Sequence, residues 1–293
     1  MKKLKIAILG SGNIGTDLLI KVMRSKFLDC VLFVGRSFAS NGMIKASSLG
    51  IIVSDKSIDA IVENKENIDL VFDATSAQSH KIHANIFKDL GIKCIDMTPS
   101  QVGKICIPAI NGPSCLSAAN INMITCGGQA SIPMAYTIFR NVKNIEYIEV
   151  VSSIASKSAG PGTRENIDEY IYNTEAGLRH LTGCENVKAI LNLNPAIPCI
   201  NMQTTIFAKV DQVEVESLIS PIKEMEKKIQ EYVTGYEVIV QPVYEGGRIV
   251  VTVRCCGLGD YLPRYAGNLD IINCAAIAMA EEYAIKNSVV GQS

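Results

Sequence analysis

The run Asn122-Met123-Ile124-Thr125-Cys126-Gly127-Gly128-Gln129-Ala130 ends an apolar, strand-like stretch on a thiol and follows it with two glycines. A helical pattern then opens at Ser131-Ile132-Pro133-Met134. A cysteine at such a strand-to-helix turn sits where backbone N–H groups point outward, which is expected to lower its pKa. The thiolate can attack a carbonyl, and the same amides can hold the resulting oxyanion. Most free cysteines are small buried hydrophobes, and this chain has 10. Packing alone does not call for two consecutive residues without a Cβ, and this sets Cys126 apart.

A second set of residues has the spacing of a phosphate site. Gly10-Ser11-Gly12-Asn13-Ile14-Gly15 is a G-x-G-x-x-G that directly follows a predicted strand and opens a predicted helix. In that setting the glycines allow the tight turn, the close approach of a pyrophosphate and helix-strand packing. Ser11, Gly12, Asn13, Ile14 and Gly15 are therefore the candidate dinucleotide contacts. The acidic residue expected roughly 20 residues further on is absent. Val34-Gly35-Arg36-Ser37 stands there instead. The Arg36 guanidinium and Ser37 hydroxyl suit a 2′-phosphate, and Arg36 equally suits stacking on an adenine, so NAD and NADP both stay open.

Ser156-Lys157-Ser158-Ala159-Gly160-Pro161-Gly162-Thr163-Arg164-Glu165-Asn166 is a loop of small residues between a strand and a helix whose expected N-cap is Thr163. Free amides there suit the phosphate, amide or carboxylate of a ligand. Tyr265-Ala266-Gly267-Asn268-Leu269-Asp270 enters the last helix, and Asn268 reads on its own as a cap. His80-x-x-His83 places two imidazoles one turn apart without a third ligand. A solvated helix face is expected there, and no metal.

The elements that must hold these residues fall into two textures. Lys5 to Leu9, Cys30 to Val34, Ile68 to Asp73, Lys93 to Asp96 and Ile105 to Ile110 read as short strands. Helices are expected from Ile14 to about Arg24 and from Ser79 to Leu90, a βαβ rhythm that implies a doubly wound parallel sheet. Beyond Cys126, longer strands are expected at Ile145 to Ile154, Val187 to Leu191, Thr204 to Val210, Tyr236 to Val243 and Arg248 to Cys256, the last two joined by Gly246-Gly247. This second part reads as an α+β unit with antiparallel pairing. Leu218, Ile222, Met225, Ile229 and Tyr232 form the apolar stripe of a covering helix, which either starts from Ser220 and Pro221 or kinks at Pro221 after a start near Gln212. The expected division is a dinucleotide-binding domain over 1–125, a catalytic and dimerisation domain over 126–265, and a C-terminal helix over 266–293 that returns to the first domain.

Composition limits the partners. With 28 basic and 29 acidic side chains the net charge is −1, so no electrostatic footprint for nucleic acid or an anionic membrane is present. The cysteines include the adjacent pair Cys255-Cys256 but no C-x-x-C, which fits reduced thiols in a cytoplasm. Met1-Lys2-Lys3 runs straight into the first strand, too short an apolar run for a leader or a membrane span.

Five segments together resemble a known family: Gly10 to Asp17 (GSGNIGTD), Phe72 to Ser76 (FDATS), Thr125 to Ala130 (TCGGQA), Ile154 to Thr163 (IASKSAGPGT) and Tyr261 to Ile271 (YLPRYAGNLDI). They look like the acylating acetaldehyde dehydrogenases of meta-cleavage catabolism of aromatic compounds, over essentially the whole chain. The resemblance implies a cytoplasmic enzyme that oxidises acetaldehyde or a short homologue to the acyl-CoA with NAD. It implies a homodimer, often bound to 4-hydroxy-2-oxovalerate aldolase. It also implies a fold like that of aspartate-semialdehyde dehydrogenase: a Rossmann-type doubly wound α/β domain, an inserted α+β dimerisation domain and a returning C-terminal helix.

By the same resemblance, Cys126 matches the acyl-thioester nucleophile and Ser11 to Ile14 match the pyrophosphate turn. Ser158, Ala159, Gly160, Pro161, Gly162, Thr163, Arg164, Glu165 and Asn166 match the cofactor loop, and Asn268 the nicotinamide-side asparagine. Two positions depart from the pattern. Arg36-Ser37 replaces an acidic residue, and the Asp that assists proton transfer falls at Thr204. Two other readings stay open: a phosphate-dependent semialdehyde or acyl-phosphate reductase on the same fold, which usually pairs its cysteine with a histidine, and a nucleotide-binding homologue without catalysis.

Overall fold

The computed structural model describes residues 3–290. Its chain forms two units: one holds the chain up to Met123 and again from Asn273, the other Ile124–Ile272.

In the first unit the elements run β1 (Leu4–Leu9), α1 (Asn13–Arg24), β2 (Leu28–Val34), α2 (Asn41–Ser48), β3 (Val53–Ser54), α3 (Ile58–Glu63), β4 (Leu70–Asp73), α4 (Ala77–Leu90), β5 (Lys93–Asp96), β6 (Lys104–Ile105), α5 (Pro108–Cys115) and β7 (Asn120–Asn122). The sheet is parallel throughout, in the order β3-β2-β1-β4-β5-β7-β6. Its strands are near-continuous apolar runs because both faces are covered. Ala7, Leu9, Leu32, Val34, Val71 and Cys94 pack on one face with Ala60 and Ile61 of α3 and Phe87 of α4. Ile8, which points the opposite way, meets α1 at Gly15. Strand order reverses between β1 and β4, where open α/β sheets form a crevice at the strands' carboxyl ends. Leu9 is paired with both Val34 and Asp73, Asp73 with Asp96, and Asp96 with Asn122, so polar groups line up along that edge.

Three expectations change here. Only Lys104–Ile105 of the expected strand at Ile105 to Ile110 is extended, because Pro108 starts α5, where its fixed φ and missing N–H are tolerated. The short elements α2, β3 and α3 carried too little periodicity to stand out, although Ser40 caps α2 by accepting from the Met43 amide. The His80/His83 face of α4 is buried rather than solvated. Both Nδ1 atoms lie 2.8 Å from Asp73 Oδ2, and that carboxylate, at the end of a fully buried strand, needs partners inside the fold.

The second unit opens with α6 (Cys126–Asn141) and continues with β8 (Tyr147–Ala155), α7 (Pro161–Glu165), α8 (Ile167–Thr182), β9 (Val187–Asn194), β10 (Met202–Lys209), α9 (Ile219–Gln230), β11 (Tyr236–Glu245), β12 (Arg248–Cys255) and the start of α10 (Gly267–Val290), whose remainder belongs to the first unit. The sheet order is β11-β12-β10-β8-β9. Pairing is antiparallel except between β8 and β9, which the α7–α8 crossover joins in parallel. Gly246 and Gly247 both have positive φ, as the two-residue β11–β12 hairpin requires. Alternate residues of β8, β10 and β12 are buried, so one face is covered and the other is partly open. Helix α9 starts at Ile219 after a 3-10 turn over Val215–Leu218, so Pro221 is a first-turn proline as one of the two alternatives expected, with Leu218 rather than Ser220 as the cap and no start near Gln212.

Candidate active site

The glycine-rich turn belongs to the first unit. Gly10 has φ +121°, and a Cβ there would lie 2.5 Å from the Ala74 carbonyl oxygen. At Gly15 a Cβ would collide with the Gly10 carbonyl, so α1 starts tight against the turn. Gly12 is the opposite case: nothing lies within 4 Å of where its Cβ would be, and as N-cap of α1 it brings no side chain to the helix's first free amides. Two crowded positions around an open one make the shape a dinucleotide pyrophosphate needs. Ser40 Oγ donates to Ser11 Oγ at 3.0 Å, Asn13 is exposed, and the Ile14 carbonyl accepts from Asn273 Nδ2 at 3.2 Å. Arg36 is exposed just beyond β2.

The remaining candidates lie in the second unit. Thr125 caps α6 by accepting from the Gly128 amide at 2.9 Å, and its hydroxyl pairs with Thr174 of α8 at 2.8 Å. The helix thus begins at Cys126, earlier than the apolar pattern indicated, and continues through Pro133. Cys126 is half-buried as a residue, while its sulfur is enclosed. The thiol donates to the Tyr170 phenol oxygen at 3.8 Å. The expected lowering of its pKa does not follow: burial pushes the thiol up to about 11, outweighing Tyr170 and the amides of Gly127 and Cys126, which act in the lowering direction.

Tyr170 and Ser152 carried no sequence motif. Tyr170 is buried in the first turn of α8, the Ser152 hydroxyl hydrogen-bonds its phenol, and Ser152 Oγ lies 2.9 Å from Thr204 Oγ1. One signal was available in the Gly-Gly pair: a methyl on Gly127 would collide with the Tyr170 hydroxyl. His180 occupies the last turn of α8 and is exposed. Ten residues of helix put it about 15 Å along the axis from Tyr170.

The small-residue loop forms a single 3-10 turn, Ser156–Ser158, followed by α7. Gly160, not Thr163, is the N-cap of α7, because Pro161 fits the first helical position; Thr163 lies inside the helix. Arg164 braces the loop, with Nε on the Ala159 carbonyl at 3.0 Å and Nη2 on Ser156 O and Oγ at 2.8 Å. Ser158 Oγ donates to the Ala155 carbonyl, Ala159 is buried, Glu165 is exposed and Asn166 caps α8. The side chains of Pro161 and Gly162 lie outside the described ones.

Asn268 is the second residue of α10 rather than its cap. It is 1% exposed, and its Oδ1 accepts no hydrogen bond among the described residues. A buried orphan acceptor of this kind suits an amide donor such as a carboxamide. Just before it, the Gly267 backbone packs on the Cys255 carbonyl, and the Cys255 thiol is near enough to Cys126 to feel its charge.

Comparison with known proteins gives three findings. Residues 126–263 match the family described as prokaryotic acetaldehyde dehydrogenase, dimerisation. An acetaldehyde dehydrogenase of Spirochaeta aurantia is 60% identical over 283 residues, covering 97% of this chain and 95% of its own length. One from Pectobacterium atrosepticum is 54% identical over 282 residues, 96% of this chain and 95% of its own. Among solved structures, aspartate semialdehyde dehydrogenase II of Vibrio cholerae has the same fold, with TM-score 0.64 at 12% identity over 97% of this chain and 99% of its own.

Proposed function

The chain belongs to the acetaldehyde dehydrogenase family, and from that premise we propose that it oxidises acetaldehyde or a short homologue to the acyl-CoA through a thioester on Cys126. The observation that carries this reading is the position of Cys126. It is the first residue of α6, directly after the Thr125 cap, and its thiol donates to the Tyr170 phenol oxygen at 3.8 Å.

Once deprotonated, Cys126 attacks the aldehyde carbon, and the free amides at the α6 N-terminus hold the oxyanion that forms. Ser11, Gly12, Asn13, Ile14 and Gly15 would hold a dinucleotide's pyrophosphate. In the second unit, the roles proposed for Ser158 to Asn166 and Asn268 toward a cofactor rest on the family resemblance. When bound, the nicotinamide supplies the hydride acceptor. The thiol of coenzyme A then attacks the Cys126 thioester, giving acyl-CoA and returning the cysteine. No metal is assigned a role.

Arg36 beyond β2 supports use of NADP as well as NAD, since no carboxylate stands there to repel a 2′-phosphate. The partly open face of the second sheet, with Val151, Phe207 and Val250 among its half-buried residues, supports a homodimer. An aldolase partner of the 4-hydroxy-2-oxovalerate class and a cytoplasmic setting belong to this proposal and are supported by the family resemblance alone. Among the described residues, no helix is long and apolar enough to cross a membrane.

Cofactor reduction should be followed with acetaldehyde or propanal, with CoA or phosphate, and with NAD or NADP. Reduction that requires both aldehyde and CoA supports the reading. Faster turnover with phosphate would favour the acyl-phosphate chemistry of the fold's other branch, against which the lack of a histidine on α6 and the place of His180 in the last turn of α8 argue. Dinucleotide binding without turnover would indicate a non-catalytic homologue.

A further inference from the structure

We propose that Tyr170 is a catalytic residue of this site: its phenol donates a hydrogen bond to the sulfur of Cys126 in its anionic state, held in that orientation by Ser152 and Thr204. The inference rests on Cys126 being the nucleophile.

Four hydroxyl or thiol groups from four elements form one chain. Cys126 Sγ of α6 is 3.8 Å from the Tyr170 hydroxyl of α8, that hydroxyl bonds to Ser152 of β8, and Ser152 Oγ is 2.9 Å from Thr204 Oγ1 of β10. Tyr170, Ser152 and Thr204 are all buried, so each hydroxyl is committed to its neighbours rather than to water. Gly127 makes the approach possible, because any side chain there would displace both the phenol and Ser152.

In the resting state the thiol donates to the phenol oxygen. When the thiol loses its proton, the direction reverses, because a thiolate can only accept. Tyr170 is suited to donate and unsuited to act as base: burial and the Cys126 charge hold its own pKa well above the ordinary value, so it keeps its proton. Thr204 and Ser152 can then each donate one step toward Tyr170. A chain of neutral donors thus ends at Thr204, where the family pattern has a carboxylate. Among the described residues, Cys255 of β12, held protonated by burial, feels the charge of Cys126 and also that of Asp270 of α10 and of Cys256.

The test is the pH dependence of Cys126 alkylation by iodoacetamide, read by mass spectrometry of its own peptide in the full chain. Tyr170→Phe keeps the ring and removes the donor. Its Cys126 titration should move to higher pH, with alkylation about tenfold slower near neutral pH, the scale of one hydrogen bond to a charged group. Thr204→Val, which cannot touch the sulfur, should move the titration the same way by less, and it serves if Tyr170→Phe does not fold. An unchanged or downward-shifted titration in a folded variant overturns the proposal. Acylation of wild-type Cys126 by aldehyde and NAD is scored separately. If it occurs while the Tyr170→Phe titration is unmoved, only the role of Tyr170 falls, and if it does not occur the nucleophile assignment itself falls.

Discussion

The two units keep their buried polar groups in different ways. In the first, the polar core is ionic: Asp73 Oδ2 takes both imidazoles of α4, and His80 Nε2 lies 3.4 Å from Asp96 Oδ2 and 2.9 Å from Asn120 Nδ2. Asp96 in turn accepts from Ser100 and from Asn122 at 2.7 Å. In the second, the polar core is built mainly from hydroxyls: Thr125 with Thr174 at 2.8 Å and Ser152 with Thr204 at 2.9 Å. The difference teaches where pH can act. Carboxylates and imidazoles lock the rim of the parallel sheet through charges that titrate, whereas the groups hydrogen-bonded in a chain to the thiol are neutral hydroxyls, with the buried Asp270 carboxyl acting on Cys255.

Removing the thiol alone should have the largest effect. Cys126→Ser should lower CoA-dependent oxidation by roughly 10³-fold or more, the scale on which losing a covalent nucleophile falls. Dinucleotide binding, measured by fluorescence titration of NADH, should be nearly unaffected because a hydroxyl of similar size replaces the thiol and only its nucleophilicity is lost. Substantial residual turnover would sink the assignment.

Asp73→Asn probes the ionic side. It leaves two buried imidazoles facing a neutral amide and should cost about 3–5 kcal/mol in denaturant unfolding, the range for breaking a buried pair. Ser152→Ala, its counterpart among the hydroxyls, should cost nearer 1 kcal/mol. Equal losses would show that the ionic network is no more critical than the hydroxyl one.

The pH dependence of stability follows from the same groups. Burial alone would raise Asp73, but the hydrogen bonds from His80, His83 and Thr75 hold it down to about 2. Its contribution is therefore full above the unfolded value of about 3.9 and is lost as pH falls toward 2. Burial works to lower His80, and its bond to Asp73 with the charges of Asp96 and Asp73 raise it overall. That contribution is full below about 6.5 and is lost as pH rises through the folded value. Burial raises Asp96, so its contribution is full below the unfolded value of about 3.9 and is lost as pH rises through the folded value, the same direction as His80 from a lower starting pH. The melting temperature should be highest between about pH 4 and 6.5, and a maximum above pH 8 would contradict this.

The smallest effect is on cofactor choice. Arg36→Asp should shift the ratio of kcat/KM for NAD over NADP toward NAD by about tenfold, through loss of a cation and gain of repulsion toward a 2′-phosphate. An unchanged ratio would show that Arg36 does not face the adenosine ribose.

What the sequence disclosed and what it hid follow the same division of ranges. The turns at Gly10 to Gly15 and Thr125 to Gln129 were legible because their backbone geometry depends on adjacent residues. The parallel strands were legible because burial on both faces makes them continuous apolar runs. His80 and His83 were misread because their partner Asp73 is on another element, and one helix face cannot show what lies across from it. Tyr170, Ser152 and Thr204 come from α8, β8 and β10 and meet only after the second sheet has formed. The direction of the Cys126 shift was missed for a related reason: a turn's amides are local, whereas the burial that outweighs them is tertiary.

The central claim is the covalent step at Cys126, and a single turnover without CoA tests it most directly. With aldehyde and NAD present in excess, one equivalent of reduced cofactor should appear per active chain, and an acetyl group should be found on the peptide that carries Cys126 and on no other cysteine. Added CoA should then remove that group as acetyl-CoA and restart turnover. Sustained oxidation with an unmodified Cys126, or acylation confined to a different cysteine, would contradict the account.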